Sequence, residues 1–345
     1  MRFLITGHTG FKGAWLSLLL ANRGHEVHGV ALDPLPGGIF ETANVAQHLA
    51  SDVRIDIRDA SALADLVEGV DAEVVLHLAA QPLVRQSYKS PRETFETNAL
   101  GTLNLLEAVK GSPSARAVVV VTTDKVYRNI GKIGGYVEDD ALGGEDPYSA
   151  SKAMADILTH SWVRSFPGVP TAVVRGGNVI GGGDVSKDRL LVDLVRGFIS
   201  HSPVSIRFPG AVRPWQHVLD CLSGYLTVAA ALLDGKGSGA WNFGPDPESF
   251  QSVREIADAA VSWWGNGAAW IDDSGEHPHE AALLTLDSTK ARTELGWVNR
   301  LSFPRSLEWA LEWEKAVAQG SDPRDVTNGQ IGRFLAAKAP WQHAF

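Results

Sequence analysis

One turn near the N-terminus constrains this chain most: Gly7-His8-Thr9-Gly10-Phe11-Lys12-Gly13. It follows a short apolar run at 3–6 and opens a helical pattern at 12–22. Glycines at this spacing let backbone N–H groups approach an anion at a helix N-terminus. They also commit the chain to a strand, a crossover helix and a second parallel strand. The alternation continues. Apolar runs of strand length recur at 27–32, 53–57, 74–78, 117–122 and 171–174. Helical patterns separate them at 61–67, at 94–109 and after Tyr148. The pattern predicts an α/β protein with a Rossmann-type, doubly wound parallel sheet covered on both faces.

After Arg175 the rhythm changes. Residues 176–184 predict a long flexible loop rich in glycine. Helices are expected at 189–201, 218–233, 253–264 and 306–318, and a short strand at 204–208. This suggests an NAD-binding domain over 1–175 that carries the catalytic residues. A smaller mixed α/β substrate domain would fill 176–345. The boundary is soft, because a strand at 240–243 can return to the main sheet. Hydrophobic residues are 44% of the 345 and charged residues 21%, which excludes a disordered chain. The net charge of −9 and the lack of a basic run argue against nucleic acid as a partner. No apolar stretch approaches the ~18 residues of a membrane span. One cysteine, Cys221, excludes an internal disulfide. With no leader pattern at Met1, a cytoplasmic protein is expected. His277 and His279 lack further ligands at metal spacing, so no metal site is expected.

The cofactor residues follow from the strand ends. The backbone of Gly7, Thr9, Gly10, Phe11, Lys12 and Gly13 would hold a pyrophosphate. The Lys12 side chain either pairs with a phosphate or lies in solvent. Asp33 closes the second strand, 20 residues after Gly13. A carboxylate there accepts from ribose hydroxyls and repels a 2′-phosphate. No Arg occurs in the next 20 residues, which favours NAD over NADP. The competing reading is a turn Asp before Pro34. Asp56 and Ile57 are placed to meet adenine, although Asp56 equally suits a turn. Leu78, Ala79 and Ala80 are small or apolar where the chain must pass the cofactor closely. Tyr148 and Lys152 stand at i and i+4 and share a helix face. An ammonium there lowers the phenol pKa, so Tyr148 can take a hydroxyl proton as hydride leaves the same carbon. Such a pair is common on helix surfaces; downstream of this glycine turn the functional reading is favoured.

These motifs resemble the extended short-chain dehydrogenase/reductase family, which acts mainly on nucleotide sugars. Val121-Thr122-Thr123-Asp124-Lys125-Val126-Tyr127 narrows the choice. Sugar 4-epimerases of that family carry a Ser or Thr here without an ionisable pair after it. Hexose 4,6-dehydratases carry Thr-Asp-Glu or Thr-Asp-Lys. The second form resembles the CDP-glucose 4,6-dehydratase branch. The resemblance runs through 79–85, Thr97-Asn98, 143–148, 177–184 and 213–219. It departs at Val185, where an aromatic is usual, and at Val126, where Cys is frequent.

The resemblance implies a reaction and its residues. Tyr148 removes the proton of sugar O4 as hydride passes from carbon 4 to NAD. Lys152 holds the nicotinamide ribose, and Thr123 orients O4. The carbon-4 ketone acidifies carbon 5. Lys125 is the implied carbon-5 base and Asp124 the acid for the hydroxyl leaving carbon 6. A neutral lysine base requires burial and neighbouring cations. Asn98 and Thr122 are implied beside the cofactor; Gln81, Arg85, Ser87 and Leu190 are implied beside the substrate. Arg189, Arg207 and Arg213 suit its diphosphate, because guanidinium binds phosphate in bidentate fashion. Asn178 can donate to the same group. Trp215 either stacks on the base or fills the core, and His217 reads as structural. CDP-glucose is the expected substrate and a homodimer the expected assembly. Competing readings are a 4-epimerase, a dehydratase of another nucleotide sugar, and a non-catalytic NAD-binding sensor. Asp124-Lys125 argues against the epimerase, and an intact Thr123, Tyr148 and Lys152 against the sensor.

Overall fold

The computed structural model describes residues 1–273, 275 and 283–345. Its first half alternates strand and helix. β1 (Arg2–Thr6) leads into α1 (Phe11–Ala21), followed by β2 (Glu26–Ala31), a single turn α2 (Ile39–Thr42) and β3 (Ser51–Arg54). α3 (Ala60–Val70) starts where the Asp59 carboxylate accepts from the Ala62 N–H at 3.0 Å. β4 (Val74–His77), α4 (Val84–Lys89), α5 (Pro91–Phe95), α6 (Gly101–Lys110) and β5 (Ala117–Thr123) follow. The unit closes with α7 (Pro147–Ser165) and β6 (Thr171–Gly176).

Beyond it come β7 (Asn178–Ile180), α8 (Leu190–Ile199), β8 (Val204–Ile206), β9 (Val212–His217) and α9 (Val218–Leu233). β10 (Gly239–Phe243), β11 (Phe250–Ser252), α10 (Val253–Trp264) and β12 (Trp270–Asp272) precede α11 (Thr289–Leu295), α12 (Phe303–Ala318) and α13 (Pro323–Leu335). Seven strands form one parallel sheet in the order β3-β2-β1-β4-β5-β6-β10. All seven residues of β5 are buried, as befits a strand covered on both faces. Strand order reverses between β1 and β4. In such sheets ligands bind beyond the carboxyl ends of the strands at this switch point. Thr6 lies opposite Val30 on one side and His77 on the other, so three strand ends meet there.

Several expectations need correction. The third strand ends at Arg54, because β2 ends at Ala31 opposite it, and residues 55–57 leave the ladder. The helix expected at 94–109 is α5, a π-helical turn at Glu96–Leu100 and α6 in succession. The expected loop at 176–184 contains β7, which pairs in parallel with β9, Asn178 opposite Trp215. β9 itself, with Arg213 and Pro214, carries no alternating pattern. The strand near 240 does return to the main sheet, as β10 beside β6. α9 and α12 likewise bury Leu222, Trp309 and Trp313 in the same apolar cluster as Trp15 and Leu18 of α1. A second cluster joins α8, α10 and the start of α12 through Leu194, Phe198, Ile256 and Leu307. Among the described residues no helix is long and apolar enough to cross a membrane.

Candidate active site

The turn after β1 is tight enough to require glycine. Gly7 has φ +76°, and a Cβ there would sit 2.6 Å from the Ala79 nitrogen at the end of β4. A Cβ on Gly13 would sit 2.2 Å from the Gly7 carbonyl oxygen. Gly10 precedes α1 without a side-chain cap, which leaves the first N–H groups of the helix to an anion. These features fit a dinucleotide pyrophosphate. Thr9 Oγ1 donates to the Leu32 carbonyl at 3.0 Å and ties the turn to β2. Phe11 packs against the core at Gly181. The Lys12 side chain takes neither expected course. Its Nζ donates inward to Tyr225 Oη at 3.0 Å, and burial lowers its pKa.

Asp33 is 92% exposed at the rim of a cavity of about 80 Å³ lined also by Thr9, Gly10, Gly38 and Ser186. An arginine does stand beside it in space, although none follows within 20 residues in the chain. Arg54 stands 21 residues on, and the parallel pairing of β2 with β3 brings its Nε to 3.3 Å from Asp33. Arg54 also holds Asp52, which accepts from His8 Nε2 at 2.6 Å. Asp56 closes a turn onto the Arg58 N–H at 2.9 Å, and hydrogen bonds from the Arg58 guanidinium hold its carboxyl below the usual range. Ile57 is buried against Gly101, inside the cluster of α3 and α6. Leu78, Ala79 and Ala80 line the end of β4, half-buried.

Other expected contacts are engaged within the protein. The Asn98 amide bonds to the Gln81 backbone at 2.8 and 3.1 Å and to Ser151 Oγ at 2.8 Å. The π-helical turn carries Asn98, which braces the 79–81 segment against α7. Thr122 Oγ1 donates to Asp156 Oδ2 on α7 at 3.1 Å. Gln81 Nε2 donates to Leu83 O at 3.2 Å and to Thr94 Oγ1 at 2.9 Å. Ser87 is fully buried with its hydroxyl on the Val84 carbonyl, which removes it from the substrate face. Trp215 is buried in the second cluster with Nε1 on the Gln251 carbonyl at 3.1 Å, so the core reading holds and the stacking one does not. His217 caps α9 through the Leu219 N–H at 3.2 Å, and burial pushes its pKa down to about 3.

The reactive residues converge at the end of β5. Thr123 Oγ1 donates to Asp124 Oδ1 at 2.9 Å. Asp124 is 1% exposed, and its Oδ2 has no hydrogen-bond partner among the described residues. Lys125 Nζ lies 3.6 Å from Asp124 Oδ1 and remains partly exposed. The Asp146 carboxylate accepts from the Ser149 N–H at 3.0 Å and starts α7, which places Tyr148 and Lys152 on successive turns. Burial pushes the Tyr148 phenol up to about 12, against the Arg189 charge and a hydrogen bond with Thr123. Lys152 Nζ donates to the Val121 carbonyl at 2.7 Å rather than to Tyr148. Burial and then the Lys12 charge push Lys152 down to about 7, opposed by Asp156.

The substrate arm is assembled around α8. Arg189 precedes this helix, Leu190 opens it, and the Arg189 charge is felt by both Tyr148 and Lys12. Arg85 and Arg207 converge on Asp188, at 3.2 and 3.5 Å. Arg213 is buried on β9 with Nη1 on the Val212 carbonyl at 2.9 Å, and Asn178 sits on the neighbouring β7. Sequence reasoning missed Arg54, Asp188 and Tyr225; Asp188 was signalled only by its place beside Arg189. His277 and His279 lie outside the described residues. Among the described residues no cluster of three His, Cys, Asp or Glu is placed to hold a metal.

The chain is 44% identical to a CDP-glucose 4,6-dehydratase of Salmonella typhimurium, over 97% of this chain and 96% of that one. It is 30% identical to a dTDP-glucose 4,6-dehydratase of Streptomyces niveus, over 91% of this chain and 92% of that one. The solved UDP-glucuronic acid 4-epimerase of Bacillus cereus, in complex with UDP-glucuronic acid and NAD, superposes with a TM-score of 0.79 at 26% identity. That match covers 92% of this chain and all of the other. A family model for NAD dependent epimerases and dehydratases matches residues 3–244, well over half of the chain. The protein therefore belongs to the NAD dependent epimerase/dehydratase family.

Proposed function

We propose that this protein is a lyase that converts CDP-D-glucose to CDP-4-dehydro-6-deoxy-D-glucose and water. The observation that carries the reading is the Thr123-Asp124-Lys125 segment beside Tyr148, with an acid and a base next to each other at the end of β5. An epimerase needs no second acid–base pair. The 44% identity to a CDP-glucose 4,6-dehydratase supports both the reaction and the nucleotide. NAD, when bound, takes hydride from carbon 4 and returns it to carbon 6. The glycine turn and the α1 N-terminus would hold its pyrophosphate, and Asp33 its ribose.

Tyr148 accepts the O4 proton. Burial raises its phenol, and the Arg189 charge and the Thr123 hydrogen bond are the groups of this chain that favour its ionised form. Thr123 donates to or accepts from the same oxygen. Lys125 takes the carbon-5 proton. Its amine is partly exposed and lies 3.6 Å from Asp124 Oδ1. Asp124 gives a proton to the departing hydroxyl; its buried Oδ2 is the atom left for that task. Arg85, Arg189, Arg207 and Arg213 hold the diphosphate. In this reading the residues up to 175 chiefly carry NAD, and those after it chiefly the nucleotide sugar.

The chain acts as a homodimer and in the cytoplasm in this reading. Leu100, Met154 and Ile157 are each about half exposed at the α6 and α7 surface, where a second copy can cover them. The free, buried Cys221 suits a reducing compartment. The test is incubation with NAD and CDP-glucose, UDP-glucose or dTDP-glucose, with product analysis by NMR. A 4-keto-6-deoxy product from CDP-glucose is expected. An epimer, or retained NAD without turnover, would refute the proposal.

A further inference from the structure

A third ionisable residue shares the α7 face with Tyr148 and Lys152. Asp156 follows Lys152 by four residues, as Lys152 follows Tyr148. Asp156 and Arg175 of β6 are both buried. Arg175 grips the carboxylate with Nε at 2.8 Å from Oδ2 and Nη2 at 2.7 Å from Oδ1. Thr122 Oγ1 adds a third bond to Oδ2 at 3.1 Å. Arg175 Nη1 continues to Tyr127 Oη at 2.7 Å and to the Glu138 carbonyl at 2.9 Å. Tyr127 Oη donates onward to Asn242 Oδ1 on β10 at 2.7 Å. Thr122 and Tyr127 flank Thr123, Asp124 and Lys125 in the chain. The bonds that fix Asp156 therefore also fix both ends of the reactive segment.

Stability alone is a weak reason for such a pair, since desolvation offsets the attraction between buried charges. Its position suggests another. Lys152 faces Lys12 from α1, His77 from β4, and Tyr148 and Asp156 from its own helix. Lys12 disfavours an ammonium there, whereas Asp156 is the carboxylate that favours one.

We propose that Asp156, gripped by Arg175 and Thr122, is a positioning residue: it aligns Tyr148 and Lys152 with the Thr123–Lys125 segment and places a buried carboxylate one helical turn from Lys152. The inference rests on the proposed function for its role in turnover, but the charge effect can be read without any substrate. Asp156→Asn removes the charge and keeps the shape. Because it leaves Arg175 unpaired, Asp156→Asn/Arg175→Met is the companion variant, in which no buried charge is stranded. Lysine is labelled at Cε, Lys152 is assigned through Lys152→Met, and its NMR shift is followed against pH. The titration midpoint of Lys152 should fall by about one unit in Asp156→Asn, the size of effect one lost charge partner gives, and by less in the companion, which loses the Arg175 cation as well. With NAD and CDP-glucose, the alkaline limb of single-turnover NADH formation should move down by the same amount. An unchanged Lys152 titration would overturn the inference, whether or not the rate falls. Failure of the unmodified protein to act on CDP-glucose would instead count against the proposed function, and the titration would still decide this one.

Discussion

Single residues carry the chemistry, and three substitutions test them. Tyr148→Phe keeps the ring and removes the proton acceptor. Enzyme-bound NADH formation should slow by about 10²–10⁴, with substrate affinity nearly intact. Lys125→Met leaves Tyr148 and Lys152 in place, so oxidation at carbon 4 should proceed and elimination should stall. Single-turnover absorbance should then show NADH accumulating. Full turnover by this variant would return the carbon-5 role to Asp124, Glu145 or water. Lys152 offers a test through stability. Its folded value of about 7 lies below the ordinary lysine value of 10.5. Between these values the unfolded chain binds a proton that the folded one does not, so this group makes stability rise with pH across that window and lowers it below. Lys152→Met removes the effect. Relative to the unmodified protein it should be more stable at pH 7 than at pH 10 in urea titrations; an equal difference at both would deny the buried amine its shift.

At the scale of elements, the structure explains which sequence signals were readable. The βαβ rhythm is written in local patterns, so β1, α1, β2, β4, β5, β6, α9 and α10 could be placed from apolar period and turn residues. Tyr148 and Lys152 needed only a helix. Signals that depend on pairing were hidden. β7 and β9 support each other across more than thirty residues, and neither has a pattern of its own. Arg54 meets Asp33 only because two strands are parallel neighbours. That contact predicts a shared role in cofactor choice. Asp33→Ala should free Arg54 to meet a 2′-phosphate and shift preference toward NADP, whereas Asp33→Ala/Arg54→Ala should lose NAD affinity without gaining NADP. Calorimetric binding of the two cofactors distinguishes these outcomes. Asn98, Thr122, Ser87 and Trp215 bond within the protein, because a side chain's direction within an element is set by packing. Trp215→Ala should therefore act as a core truncation, destabilising by about 3–5 kcal/mol in denaturant titrations. A variant of normal stability with raised substrate KM would restore its place in the site.

At the scale of the whole molecule, the sheet places three functions at one edge. In the proposed function the β1–β4 switch point would receive the cofactor, the end of β5 would carry the acid and base, and the segments after β6 would hold the nucleotide sugar. The account holds that one substrate hydrogen travels within that edge, leaving carbon 4 and rejoining the same sugar at carbon 6. The measurement that tests this most directly uses CDP-glucose deuterated at carbon 4, turned over by the protein in ordinary water with unlabelled NAD. NMR of the product should find the deuterium in the methyl group at carbon 6, together with a carbon-4 ketone. Deuterium retained at carbon 4 in an epimer, or lost to the medium, would contradict the account.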